Sequence, residues 1–277
     1  MQLAKAIVEV RSFRRAAAGT WGLVPTMGYL HAGHISLVQR ARAENDHVAV
    51  SIFVNPTQFG PQEDLSRYPR DLKRDLELLE AEGVDLVFAP EAPEMYPAGF
   101  QTYVEVTDVT RPLEGASRPG HFRGVATVVL KLFNIVQPDR AYFGQKDAQQ
   151  AAVVRRMARD LDLPLEIVIC PIAREVDGLA LSSRNVYLNP QERVAATALS
   201  RALRAAGERY AAGERSGDAL RAAMSAVLAA EPLARPEYVS AADPETLAEL
   251  ERVENGVLLS MAVRIGTTRL IDNVLLA

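Results

Sequence analysis

Up to about Pro171 the chain alternates short apolar runs with longer stretches whose apolar residues recur every three or four positions. TWGLVPTM reads as a buried strand, and HISLVQRARAEN as a helix with Ile35, Leu37, Val38 and Ala41 on its apolar side. HVAVSIFVNP is a second strand, YPRDLKRDLELLEAEG an amphipathic helix ending at Gly83, and VDLVFAP a third strand. GVATVVLKLFNIVQP is helical as far as Pro138, RAYFG is strand-like, DAQQAAVVRRMARDL is helical, and LEIVICP closes the series as a strand. The periods of the apolar positions and the flanking turn residues mark these elements. Strands alternating with helices in this way fold as right-handed βαβ units around a parallel sheet.

The alternation stops after Pro171. A Ser-rich turn, DGLALSSRN, leads into Ala- and Arg-rich helices from about Pro190 to Glu231. Strand-like segments follow at PEYVSA, GVLLSMAVRIG and TRLIDNV. Segregated helices and strands predict a second, smaller α+β domain. The expected division is 1–172 for the α/β domain and 173–277 for the α+β domain.

Composition narrows the function classes. A chain of 277 residues that is 48% hydrophobic can build a proper core without staples. Its 35 acidic and 31 basic residues give a net charge of −4. That balance argues against general binding to nucleic acid or anionic membranes. Cys170, the single cysteine, lies in the apolar run LEIVIC and reads as a buried, inert thiol. No apolar run approaches the roughly 20 residues of a membrane span, and the N-terminal MQLAKAIVEVRSFRR lacks a signal-peptide order. A cytoplasmic location is expected.

The candidate chemistry sits in loops after the strands. There is no GxxxxGK[ST] and no GxGxxG after a strand. The first βα turn, PTMGYLHAGH, instead offers Gly28, Gly33, His31 and His34. Three residues apart, the histidines share one side of a helix's first turn, where free N–H groups and the helix dipole favour an anion. A phosphate cradle, a plain strand-to-helix turn and a metal site all fit this stretch; a phosphate would favour charged imidazolium rings, and a metal would need further ligands. SIFVNPTQFG supplies Asn55 and Gln58, RAYFGQKDAQQ supplies Gly144, Lys146 and Asp147, and GLALSSRN supplies Ser182, Ser183 and Arg184. Each loop alone reads as an ordinary polar turn or cap. Polar loops following successive strands of a parallel sheet are the usual place for a ligand.

Taken together, PTMGYLHAGH, SIFVNPTQF, EGASRPGHFRGVATVVLKLFN, YFGQKDAQQ, DGLALSSRNVYL and RLIDN resemble the pantothenate synthetase (pantoate–β-alanine ligase) family. The histidine pair belongs to the wider HxGH nucleotidyltransferase superfamily, whereas SRPGHFRGV and LSSRN are more specific. The resemblance implies a Rossmann-like N-terminal domain, a small C-terminal lid domain and a homodimer. It implies ATP as co-substrate, Mg²⁺ carried through the ATP phosphates rather than by a protein metal site, and a pantoyl-adenylate intermediate. Met27, Gly28, Tyr29, Leu30, His31, Ala32, Gly33 and His34 would line ATP, with His34 in a proton-donor role. Gly144, Gln145, Lys146 and Asp147 would also contact ATP, as would Leu181, Ser182, Ser183, Arg184 and, by spacing, Ala173. Gln58 and Gln150 would hold pantoate, with Asn55 beside them, and Arg118 is expected to meet a substrate carboxylate. The sequence departs from the family's GEKD-aromatic pattern at Gln145 and Ala148.

These residues suit adenylate chemistry. A carboxylate nucleophile is ionised at neutral pH, so cationic donors (His31, His34, Lys146, Arg184) matter more than a general base. A lid is expected over an intermediate that water would destroy. The alternatives are an adenylyltransferase acting on a phosphorylated small molecule, or an inactive adenine-nucleotide sensor.

Overall fold

The computed structural model describes residues 1–61 and 63–277. In chain order the strands are β1 (Gln2–Ala4), β2 (Trp21–Thr26), β3 (His47–Ile52), β4 (Leu86–Phe88), β5 (Arg140–Gly144), β6 (Glu166–Cys170), β7 (Ala234–Ala242), β8 (Val257–Ile265) and β9 (Thr268–Leu276). The helices are α1 (Ile7–Ala16), α2 (Ala32–Glu44), α3 (Leu72–Ala81), α4 (Ala92–Met95), α5 (Glu114–Ser117), α6 (His121–Val136), α7 (Ala148–Asp160), α8 (Pro190–Ala195), α9 (Ala198–Ala211) and α10 (Gly217–Ala229). Short 3₁₀ turns occupy Pro56–Gln58, Gln145–Asp147 and Ser183–Tyr187. The chain divides into two compact units. The first holds Met1–Thr107, Arg118–Gly144 and Val153–Pro171; the second holds Asp108–Ser117, Gln145–Ala152 and Ile172–Ala277.

In the first unit the strands form a wholly parallel sheet in the order β1-β4-β3-β2-β5-β6. This is the expected Rossmann-like arrangement. Trp21, Leu23, Val24, Val48, Val50, Leu86, Val87 and Phe88 are buried, as near-continuous apolar strands require in a sheet covered on both faces. Neighbours of β2 lie on opposite sides, β3 after α2 and β5 much later in the chain. The order therefore reverses at β2, and a crevice for ligands opens beyond its carboxyl end. Helix α6 is buried nearly all round, which matches its unbroken apolar stretch. Cys170 ends β6, and burial pushes its thiol pKa up, as befits an unreactive cysteine.

The second unit pairs an antiparallel sheet, β7-β8-β9, with α9 and α10 around one core of Leu199, Leu203, Leu220, Met224, Leu259 and Met261. The same unit holds a charged cluster. Arg269 makes a two-pronged pair with buried Glu114 at 2.7 Å for each prong, and a third bond of 2.7 Å to Glu237. Tyr238 donates its hydroxyl to Glu114 at 2.9 Å. Burial alone would lower the Arg269 pKa, but the two carboxylates outweigh it and hold the guanidinium firmly charged. Among the described residues, no helix is long and apolar enough to cross a membrane.

Candidate active site

The loop after β2 is built around two unusual backbone positions. Gly28 has φ 81° and Tyr29 has φ 50°, so consecutive residues are left-handed. A Cβ on Gly28 would come within 3.0 Å of Ile52 and 3.1 Å of the Asp75 carboxylate; glycine is needed for space as well as for φ. Asp75, almost wholly buried on α3, accepts from the Tyr29 N–H at 2.7 Å and the Leu30 N–H at 2.8 Å. Arg74 donates to the Leu30 carbonyl at 3.0 Å and lies over the Tyr29 ring. Burial raises the Asp75 pKa despite those two amide bonds.

This bracing delivers the chain to the start of α2. His31 is the N-cap residue, and its Nδ1 accepts from the Gly33 N–H at 3.1 Å. The His34 Nδ1 faces the His31 N–H at 3.4 Å, and the ring centroids are 4.0 Å apart. A ring nitrogen that accepts from a backbone N–H carries no proton, so each neutral ring holds its proton on Nε2. The pair thus presents N–H donors at a helix N-terminus. The sequence reading expects imidazolium rings beside a phosphate; in the chain itself both Nδ1 atoms face backbone N–H groups, which leaves the Nε2 side of each ring for a ligand.

After β3, Asn55 is buried and bonded on every side. Its Oδ1 accepts from the Tyr96 hydroxyl at 2.8 Å, the Thr57 hydroxyl at 3.0 Å and the Thr57 N–H at 3.4 Å. Its Nδ2 donates to Gln58 Oε1 at 3.0 Å and the Gly124 carbonyl at 3.2 Å. Gln58 Nε2 lies 3.3 Å from the Met27 sulfur. Helix α6 approaches this turn so closely that a Cβ on Gly124 would lie 2.7 Å from Gln58 Cα and overlap the Thr57 carbonyl. Arg118 lies beside this turn. Its guanidinium grips Glu63 with two 2.7 Å bonds, beside His121, whose Nδ1 meets the Gln58 carbonyl at 2.8 Å. Burial pushes the Glu63 pKa up, but the Arg118 fork overrides it and keeps the carboxyl below its ordinary range.

In the second unit, two loops are tied to adjacent residues of β9. Buried Asn273 donates to the carbonyls of Gln145 and Lys146, both at 2.9 Å, and accepts from Gln145 Nε2 at 3.1 Å. Asp272 takes both prongs of Arg174 at 2.7 and 2.8 Å, and Arg174 also reaches the Gly178 carbonyl at 3.0 Å. The Leu181 N–H donates to the Ala173 carbonyl at 2.9 Å, which sets these two sequence-predicted residues side by side. Ser182 caps the 3₁₀ turn by accepting from the Arg184 N–H at 3.3 Å, and Ser183 is buried. The Lys146 ammonium lies 3.6 Å from Asp147. Gln150 is half-buried on α7. Gln149 beside it is structural, receiving the Glu114 N–H and donating to the Val109 and Pro112 carbonyls.

Sequence reasoning missed Asp75, Tyr96, Gly124, Asp272 and Asn273. Gly124 left a trace as part of SRPGHFRGV, and Asp272 and Asn273 as part of RLIDN; Asp75 and Tyr96 left none. Among the described residues, no group of three or more His, Cys, Asp or Glu is placed to hold a metal ion.

Comparison with known proteins decides the family. A family model described as pantoate-beta-alanine ligase matches residues 2–275. The chain belongs to the pantoate–β-alanine ligase family. A pantothenate synthetase from Roseiflexus sp. (strain RS-1) is 71% identical over 276 residues, covering 100% of this chain and 99% of that protein. The crystal structure of pantothenate synthetase from Thermus thermophilus superposes with a TM-score of 0.95 at 53% identity, covering 99% of both chains. The ligase from Francisella tularensis, crystallised with beta-gamma ATP and beta-alanine, gives a TM-score of 0.82 at 36% identity over 99% of this chain and 97% of its own.

Proposed function

We propose that the chain joins pantoate to β-alanine at the expense of ATP, through a pantoyl-adenylate, releasing pyrophosphate and then AMP. Family membership supports the overall ligation. The observation that carries the mechanism is the pair of Nδ1-anchored histidines at the α2 N-terminus.

In the first step a pantoate carboxylate oxygen bonds to the α-phosphorus, and the bond from that phosphorus to the pyrophosphate oxygen breaks. The nucleophile, with a pKa near 4, needs no base. What the protein must supply is stabilisation of the charge that gathers on the leaving pyrophosphate. His31 and His34 do this by donation from Nε2–H, and the α2 N-terminus adds its dipole and free N–H groups. Lys146, Arg184, Ser182 and Ser183 supply further donors for ATP. Mg²⁺ would arrive on the triphosphate and supply charge neutralisation there.

In the second step the neutral β-alanine amine attacks the acyl carbon, AMP leaves with the bonding pair, and the nitrogen gives up a proton to the departing phosphate or to water. A histidine whose Nδ1 is tied to a backbone N–H and whose Nε2 already holds a proton is a poor proton acceptor. His34 therefore holds its proton and donates a hydrogen bond, and the β-alanine ammonium, with a pKa of roughly 10 by analogy with lysine, gives its proton to water before the neutral amine attacks. The family resemblance further supports assembly as a homodimer.

Pantoate-dependent exchange of labelled pyrophosphate into ATP tests this reading. Exchange is expected only when pantoate is present. Exchange with a phosphorylated acceptor in its place would favour an adenylyltransferase, and nucleotide binding without any exchange would favour a sensor.

A further inference from the structure

The amide of Gln58 is not free to choose which atom it offers. Its direction is set by a chain of bonds whose two ends are backbone groups of fixed polarity. The Thr57 N–H can only donate, so the Asn55 atom facing it is the oxygen. The Gly124 carbonyl can only accept, so the Asn55 atom facing that is the nitrogen. The Tyr96 hydroxyl, anchored on the far side, gives its proton to the same Asn55 oxygen. Asn55 Nδ2 then demands an acceptor from Gln58, which turns Oε1 inward and leaves Nε2 pointing at the Met27 sulfur. A thioether is a weak acceptor, readily exchanged for a better one.

We propose that Asn55, held by Tyr96, is a positioning residue that fixes Gln58 as a hydrogen-bond donor toward pantoate. Resting on the ligase reading above, this assigns Gln58 a one-way role, so that it recognises an acceptor oxygen of the substrate by its NH₂ group. In this assignment Asn55, buried and satisfied on both sides of its amide, acts through Gln58 rather than on substrate directly. An amide can both donate and accept; the buried chain commits the Gln58 oxygen to Asn55 and leaves the NH₂ group for substrate.

Asn55→Asp tests the polarity. It replaces the nitrogen facing Gln58 by an oxygen, so the Gln58 amide must turn over and offer its carbonyl to substrate. The pantoate KM is expected to rise roughly tenfold or more, the weight of one well-made hydrogen bond turned into a repulsion, with the ATP KM changed by less than about twofold. In a Gln58→Ala background the same substitution is expected to change the pantoate KM by less than about twofold. Tyr96→Phe, which keeps the ring and leaves Thr57 to hold Asn55, is expected to raise the pantoate KM in the same direction by a smaller factor. An equal fold-change with and without Gln58, or a parallel rise in the ATP KM, would overturn the proposal. Wild-type enzyme that shows no saturable dependence on pantoate would remove the ligase reading and this proposal with it.

Discussion

Arg269→Ala is expected to destabilise the chain by about 3–5 kcal/mol, the usual cost of leaving a buried charge without its partner. Arg269 is the cation shared by Glu114 and Glu237, and Glu114 is buried. Of the side-chain bonds described above, Glu114 then keeps the one from the Tyr238 hydroxyl and loses both charged ones. Urea denaturation followed by circular dichroism measures the loss. An exposed pair makes the control. Lys73 and Glu77, 4.0 Å apart with side chains 89% and 68% exposed, should contribute almost nothing, so Glu77→Ala is expected to be nearly neutral. Equal effects for the two variants would show that the buried cluster is not what steadies the second unit. Replacing Arg269 and Glu114 together by apolar residues of similar volume should recover much of the loss, because the cost lies in the orphaned charge.

His34→Ala is expected to slow adenylate formation by roughly 10²–10³-fold, the range for removing one fixed donor from a site where negative charge develops. Thermal stability should change little, since the bond from the His31 N–H to the His34 ring is long at 3.4 Å. His31→Ala should cause a similar kinetic loss with an added stability cost of about 1 kcal/mol, because its ring also caps α2. Single-turnover formation of adenylate, set beside melting curves, separates the two. His34→Gln, which keeps an N–H donor at a reach similar to the imidazole Nε2, should recover part of the rate. A His34→Ala enzyme with unchanged adenylate formation but a failed second step would show that the ring moves a proton after all.

Much of this architecture was legible because it rests on local patterns. Period-two and helical apolar spacing located β2, α2, β3, α3, β5, α7 and β6, and the loss of alternation after Pro171 marked the change to α+β structure. The N-terminal β1 and α1 escaped. A three-residue strand has no period to read, and α1 buries only Val10 fully and starts at an alanine cap. The candidate ligand-binding residues were visible as motifs, since polar groups in sequence-local loops carry their own signature. The residues that hold those loops were not. Asp75 reaches the histidine loop from 45 positions away, and Asn273 reaches Gln145 across 128. Single polar residues on otherwise ordinary elements look like surface positions until the fold buries them. Arg118 shows the same limit, since its partner Glu63 stands 55 positions away and no local pattern links the two.

The most direct test of the central claim follows oxygen atoms. With pantoate labelled by ¹⁸O in its carboxylate, one labelled oxygen should appear in the AMP released, and the pyrophosphate should remain unlabelled. That transfer occurs only if the carboxylate bonds to the α-phosphorus. Label absent from AMP, or present in inorganic phosphate or pyrophosphate, would contradict the pantoyl-adenylate route.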